Sequence, residues 1–351
     1  MPQGRNENLN PLNPLLLGAA AVLGVVAGAL IGKAGRRPDF SFRHKTVVIT
    51  GGSRGLGLEL ARVLAREGAN LVLVARTGST LDAARTALEK YAPQVLTVSC
   101  DVRKQHEVER VIQDAVQRFG KLDVLINNAG VMQVGPLTTM TLEDYVNAMD
   151  THAWASLYSI MAAIPHMKRN GGGRIVNIVS IGGKVAVPHM IPYVMSKFAQ
   201  AGLSEAMGTE LARDGILVTS VYPGLMRTGS HVNARFKGNN RREFAWFSIG
   251  AGMPVISINA ARAAQQIVEA CRRGVESIVL TPAARAATMA SSLSPSLITR
   301  SMRAVNRFLP SENSNTQSRS GWESRSAWSP SPLTALADRV VERNNEHRAV
   351  G

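Results

Sequence analysis

Cysteine is almost absent from this chain: Cys100 and Cys271 are the only two in 351 residues. That excludes a disulfide framework and suits a reducing compartment. Neither thiol has a second Cys or a His at ligand spacing, so no metal site is expected. Aromatic residues are scarce at 5%, and no RNA- or DNA-binding motif occurs, so nucleic acid is not an expected partner. Acidic residues are outnumbered, 25 Asp and Glu against 40 Lys and Arg, giving a net charge of +15. An anionic membrane surface and a phosphorylated ligand account for that excess. No internal repeat is present.

Polar side chains are missing altogether from Leu15 to Gly32, which reads LLLGAAAVLGVVAGALIG. At about 1.5 Å per residue, a helix of this length crosses most of a hydrocarbon core of roughly 30 Å. Lys33, Arg36 and Arg37 follow at once, which places the basic flank and the rest of the chain on the cytoplasmic side. A cleaved signal peptide would carry its positive charge ahead of the apolar run, where only Arg5 stands, partly offset by Glu7. The expected organisation is therefore a polar tail over 1–14, a transmembrane anchor over 15–32 and a basic linker over 33–44. A catalytic domain over 45–282 and a C-terminal extension over 283–351 follow.

From residue 45 the chain alternates short β-branched runs with helical patterns. Strands are expected over 45–50, 70–75, 94–99, 122–126, 173–179, 216–221 and 277–281. Helices are expected at 79–91, 104–118, 141–168, 192–213 and 260–273, among others. Apolar strands separated by helices imply a parallel sheet covered on both faces, an α/β doubly wound (Rossmann) fold in one domain. The first unit is strand, glycine-rich turn, helix: KTVVIT, GGSRGLG, LELARVLAREG. Gly51 allows the tight turn, Gly55 lets backbone approach a pyrophosphate, and Gly57 lets the helix pack on the strand. The helix N-terminus then offers free N–H groups and a positive dipole end.

Four motifs in order carry a family resemblance. Thr50-Gly51-Gly52-Ser53-Arg54-Gly55-Leu56-Gly57 matches TGxxxGxG, and Asn127-Asn128-Ala129-Gly130 matches NNAG. Ser180 stands thirteen residues before Tyr193, which opens a Tyr-x-x-x-Lys ending at Lys197. Pro223-Gly224 and then Thr228 match a PG…T segment. Together, over residues 45 to about 281, they resemble the classical short-chain dehydrogenase/reductase family. The resemblance implies hydride exchange between a nicotinamide dinucleotide and a carbonyl or alcohol, with Thr50, Gly51, Ser53, Arg54, Gly55, Leu56, Gly57, Asn128, Ala129, Gly130, Pro223, Gly224 and Thr228 around the cofactor. It also implies that Asp101-Val102 flanks the adenine and that Lys197 holds the nicotinamide ribose. Dimers or tetramers built on the two long helices would follow by the same analogy.

The residues make chemical sense on their own. Tyr193 and Lys197, four apart, share one helical face. A phenol titrates near pH 10, too high for neutral catalysis, and a neighbouring ammonium favours phenolate. Tyr193 would then act as general acid or base, with Ser180 orienting the substrate oxygen. One position departs from the family: the Asn whose carbonyl holds a relay water is replaced by His152. Its backbone alone suffices, or the imidazole joins the relay, or the ring packs in a helix interface.

The second strand ends Val74-Ala75-Arg76, with Ala75 where NAD-selecting enzymes carry an acid. Arg54 and Arg76 suit a 2′-phosphate, so NADPH is expected over NADH. The segment over 225–257 holds Phe236, Phe244, Trp246, Phe247, Met253 and Ile256 beside Arg235, Lys237, Arg241 and Arg242. Apolar walls with a basic rim suit a lipid-like substrate, or a lid helix buries these aromatics against the domain. Beyond Pro282 an amphipathic helix is expected, then a mobile linker over 311–332 and a short helix over 333–344. Two other readings stand beside the NADPH-dependent reductase: a non-catalytic NADPH-binding regulator at the membrane, and an NAD-dependent alcohol dehydrogenase.

Overall fold

The computed structural model describes residues 40–92, 94–254, 256–311, 314–332 and 334–346. The expected anchor over 15–32 and its flanks lie outside them. Among the described residues no helix is long and apolar enough to cross a membrane.

Seven parallel strands form the central sheet: β1 (Thr46–Thr50), β2 (Asn70–Ala75), β3 (Gln94–Ser99), β4 (Val124–Asn127), β5 (Gly173–Ile178), β6 (Ile216–Tyr222) and β7 (Ser277–Val279). Their spatial order is β7-β6-β5-β4-β1-β2-β3. Such strands are buried on both faces, and so Val47, Val48 and Ile49 of β1 are fully buried in succession. Each stabilises the fold by about 1.5–3 kcal/mol relative to exposure.

The helices are α1 (Gly55–Arg66), α2 (Gly78–Leu88), α3 (Gln105–Phe119), α4 (Leu142–Met149), α5 (Ala155–Arg169), α6 (Ile191–Leu211), α7 (Asn240–Gly252) and α8 (Ala260–Arg273). Helix α1 packs on α8 and α2. On the opposite face Val111, Ile112 and Ala115 of α3 and Ile160, Ala163 and Met167 of α5 close over Val48, Leu125 and Ile175. The chain reverses direction across the sheet between β1 and β4. At that switch point the carboxyl ends of the strands open into the crevice where α/β sheets bind ligands.

The single helix expected over 141–168 is instead two. A π-helical turn, Asp150–Trp154, separates α4 from α5. The extra residue it accommodates rotates the following positions and brings Thr151, His152 and Ala153 inward.

Beyond β7, two consecutive helices, α9 (Pro282–Leu293) and α10 (Pro295–Asn306), stand in place of one amphipathic helix. The mobile linker expected over 311–332 is not what the described part of that stretch forms. Arg319–Ser320 pairs antiparallel with Arg235–Phe236, and a capping box joins Ser320 to Glu323. Ser and Gly serve here as turn formers that permit close approach: a Cβ at Gly321 would run into the His231 carbonyl and the Phe244 ring. The helix expected over 333–344 shrinks to one turn, α11 (Ala335–Asp338), followed by further turns. Asn345 takes a left-handed conformation, φ 56°, that ends helical propagation.

Candidate active site

The glycine-rich turn and the turn after β4 are tied together by side chains. The Thr50 hydroxyl accepts the N–H groups of Asn128 (3.0 Å) and Ala129 (3.1 Å). The Asn128 amide donates back to the carbonyls of Thr50 and Gly51, both at 3.1 Å. Gly57 belongs to this knot, since a Cβ there would run into the Gly51 carbonyl oxygen. Below it a buried polar ladder crosses the sheet: Ser159 donates to Asn127 (2.6 Å), Asn127 to Asn177 (2.9 Å) and Asn177 to Ser204 (2.9 Å). These bonds hold the ends of β4 and β5 in register beneath the site.

Helix α6 begins with Pro192 in its first turn, a residue whose fixed φ suits helix entry. It carries Tyr193, Ser196, Lys197 and Gln200 on one face. Ser180, at the end of β5, accepts the Gly182 N–H at 3.0 Å, and a Cβ at Gly182 would lie 3.1 Å from the Tyr193 ring and 3.4 Å from Ser180 Oγ. The Lys197 ammonium lies 5.8 Å from the Tyr193 ring centroid. It donates to the Ile178 carbonyl (2.9 Å) and to Gln200 Oε1 (2.8 Å). The structure thus brings Ser180, Tyr193 and Lys197 together from two elements.

Electrostatics here differ from the simple expectation. Burial raises the Tyr193 phenol above its ordinary value, opposed by the Ser180 contact. Burial also brings Lys197 down to about 7. A low-dielectric site penalises phenolate and ammonium alike, so the lysine does not by itself make the tyrosine acidic.

His152 is fully buried and spends both ring nitrogens. Its Nε2 accepts the Val131 N–H at 3.1 Å, and its Nδ1 meets Ser196 Oγ at 2.7 Å. Ser196 in turn donates to the Tyr193 carbonyl (2.8 Å), and the two rings meet edge to face, centroids 5.5 Å apart. Burial and then the Lys197 charge hold the imidazole well below its ordinary value, so it is neutral. A separate chain runs from Lys197 through Gln200 to Ser156 (2.8 Å) and on to the His152 carbonyl (2.7 Å). Ser156, Ser196 and Gln200 were not singled out from sequence; their three- and four-residue spacings from His152, Tyr193 and Lys197 were the available signal.

Around the cofactor crevice, Gly130 abuts His152 and Pro223 accepts the Ile181 N–H at 2.7 Å. Val102 and Leu56 are buried, whereas Arg76 is exposed. Asp101 pairs with Arg103, whose hydrogen bonds pull its carboxyl below the ordinary range. Arg54 lies 3.6 Å from Glu346 near the C-terminal end of the described chain. On the substrate side, Phe236, Phe244 and Phe247 are buried with Val134 and Met190, while Trp246, Leu225 and Tyr193 pack on them half-buried. Lys237, expected on a basic rim, is buried and bonded to Asp144 of α4 at 2.6 Å. Buried charge needs such a partner. Arg235, Arg241 and Arg242 are exposed.

A doubly wound sheet with a glycine-rich phosphate turn and a Ser-Tyr-Lys cluster defines a dinucleotide-dependent oxidoreductase. The family model described as short chain dehydrogenase matches residues 45–237, and the chain belongs to that family. It is 37% identical over 188 residues to D-beta-hydroxybutyrate dehydrogenase of Rhizobium meliloti, covering 52% of this chain and 72% of the relative. Gluconate 5-dehydrogenase of Gluconobacter oxydans is 35% identical over 192 residues, 54% of this chain and 75% of the relative. Among solved structures, L-sorbose reductase from Gluconobacter frateurii, complexed with NADPH and L-sorbose, matches with a TM-score of 0.63 at 26% identity. That match covers 69% of this chain and 97% of the other. The chain is an oxidoreductase of alcohol and carbonyl groups that uses a nicotinamide dinucleotide.

Proposed function

We propose that the chain is an NADPH-dependent reductase of a hydrophobic ketone or aldehyde, working at a membrane. The observation that carries the reaction is the convergence of Ser180, Tyr193 and Lys197 at the carboxyl end of β5. The residues around the turn fit the cofactor: a Cβ at Gly55 would project into the cradle, Gly51 and Gly57 let the turn close on itself, and a helix N-terminus opens there. When bound, NADPH supplies the hydride. Ser180 hydrogen-bonds the substrate oxygen, and Tyr193 gives its proton to that oxygen as negative charge develops there. Lys197, held by Ile178 and Gln200, sets the electrostatics around the phenol. The amide of Gln200 does not conduct protons, so the chain to Ser156 and His152 positions the ammonium. Neutral His152, with both nitrogens committed, positions Tyr193 through Ser196.

NADPH selection rests on Ala75 at the end of β2 and on Arg54 and Arg76 beside it. A charge-assisted bond to the 2′-phosphate contributes about 1.5–3 kcal/mol, roughly 10–100-fold in discrimination. The wild type is expected to have a kcat/KM for NADPH at least about tenfold above that for NADH, and Arg54→Ala with Arg76→Ala should erase most of the gap. Equal use of both by the wild type would refute the assignment.

A lipid-like substrate is supported by the aromatic packing beside Tyr193. Trp246, half-buried against that cluster, also lines a groove of about 430 Å³ with Ile249, Phe308, Leu309, Trp328 and Arg242. The membrane role rests on the apolar run over 15–32 and on α10, which buries none of its residues. That helix and the turn after it expose Leu297, Val305 and Phe308 among Arg300, Arg303 and Arg307.

A further inference from the structure

Residues 344–346 occupy the phosphate cradle of the glycine-rich turn. The Gly55 N–H, the first of helix α1, donates to the Asn344 carbonyl at 2.9 Å. Asn344 Nδ2 donates to the Thr228 carbonyl (2.9 Å), and Asn345 Nδ2 to the carbonyls of Ser53 (2.9 Å) and Thr80 (3.0 Å). Glu346 is 1% exposed. Its Oε1 lies 2.7 Å from where a Gly55 Cβ would stand, and its Oε2 accepts from Asn233 (2.6 Å) and lies 3.6 Å from Arg54. Ser53, Arg54, Gly55 and Thr228 are four of the residues assigned to the dinucleotide.

The chemistry of this contact resembles that of the ligand. A carbonyl oxygen and a carboxylate meet a helix N-terminus and a guanidinium, as phosphate oxygens would. The approach is prepared on both sides. Gly229 brings its backbone so close to Val341 that a Cβ would stand 2.8 Å from the Val341 Cα. Asn345, a residue that tolerates the left-handed region, takes φ 56° there. Upstream, Asp338 accepts from Thr334 (2.6 Å) and pairs with His231 (3.1 Å), and Arg62 donates to the Arg343 carbonyl (2.7 Å).

We propose that this segment is a built-in competitor of the cofactor: Asn344, Asn345 and Glu346 plug the phosphate cradle, and dinucleotide binds only when they withdraw. The inference rests on the dinucleotide reading of the site and adds its regulation. The Gly55 N–H does not serve the Asn344 carbonyl and a pyrophosphate at once, nor Arg54 the Glu346 carboxylate and a pyrophosphate, and two anions there repel. The apparent affinity for NADPH is then the intrinsic affinity reduced by the fraction of molecules with the segment withdrawn. Anything that holds the C-terminal segment elsewhere raises that fraction and activates the enzyme.

The test uses the full chain and a variant carrying Asn344→Ala, Asn345→Ala and Glu346→Ala. NADPH binding is measured by fluorescence titration. In parallel, amide hydrogen exchange over 334–346 is followed in the wild type with and without saturating NADPH. The plug predicts a Kd at least about tenfold lower in the variant, and faster exchange in the wild-type segment on adding NADPH. Tight binding by the wild type with an unchanged or weaker Kd in the variant overturns the plug and leaves the dinucleotide reading standing. Slower exchange with NADPH also overturns it, because the segment would then be part of the bound site. No binding by either protein overturns the dinucleotide reading and the plug together. The exchange experiment needs only wild type, so it decides even where the variant is unstable.

Discussion

Burial acts on both members of the Tyr193–Lys197 pair, and its consequences are measurable. The folded Lys197 titrates near 7, against an ordinary 10.5. Between those values the unfolded chain binds a proton that the folded chain does not, so stability rises with pH across that window. Below about pH 7 the burial penalty is present in full. Tyr193 works in the opposite direction only above its ordinary value of 10.0, where its raised pKa begins to cost stability. From about pH 7 to 9.5 the wild-type melting temperature should therefore rise relative to Lys197→Met. Parallel curves would show that Lys197 is not desolvated. The spacing of Tyr193, Lys197 and Ser180 made these residues legible in the sequence, because one helical face and one strand end suffice to describe them. The roles of Ser196 and Gln200 were not, since Ser and Gln at helical spacing are common and only the pairing with His152 and Ser156 singles them out.

At the scale of elements, most strands and helices could be read because parallel strands are continuous apolar runs and the helices keep their period. Three features escaped. The π turn at Asp150–Trp154 has no periodic signature in a stretch that otherwise reads as one long helix. The Arg319–Ser320 strand and the segment over 344–346 are held by partners far away in sequence, Arg235–Phe236 and Ser53–Gly55, and for the strand polar composition alone suggested freedom. The π turn, α5 and α6 also leave apolar residues outside. Trp154 and Met161, seven apart, are exposed, as are Met195 and Phe198, three apart. A second copy of the chain, which the family resemblance implies, would cover such residues. Light scattering in detergent should find a dimer or tetramer that Met161→Glu with Phe198→Glu reduces to monomer. A wild-type monomer would contradict this assignment.

For the whole molecule, the strand ends of the central sheet carry the glycine-rich turn, Ser180 and the turn after β4 at one crevice. The buried thiols stay out of the chemistry: burial pushes both Cys100 and Cys271 up to about 12. A membrane role makes a plain prediction. The full chain should sediment with anionic vesicles, and a protein that remains in the supernatant would remove the anchor and with it the argument for a membrane-borne substrate.

The central claim is carbonyl reduction through Tyr193. Its most direct test is NADPH oxidation by the full chain in detergent, on a panel of long-chain and cyclic ketones and aldehydes, with Tyr193→Phe beside the wild type. Turnover that falls by about 10²-fold or more in the variant, with the NADPH Kd nearly unchanged, is the predicted result. NADPH binding without turnover on any carbonyl, or turnover that survives the substitution, would contradict it.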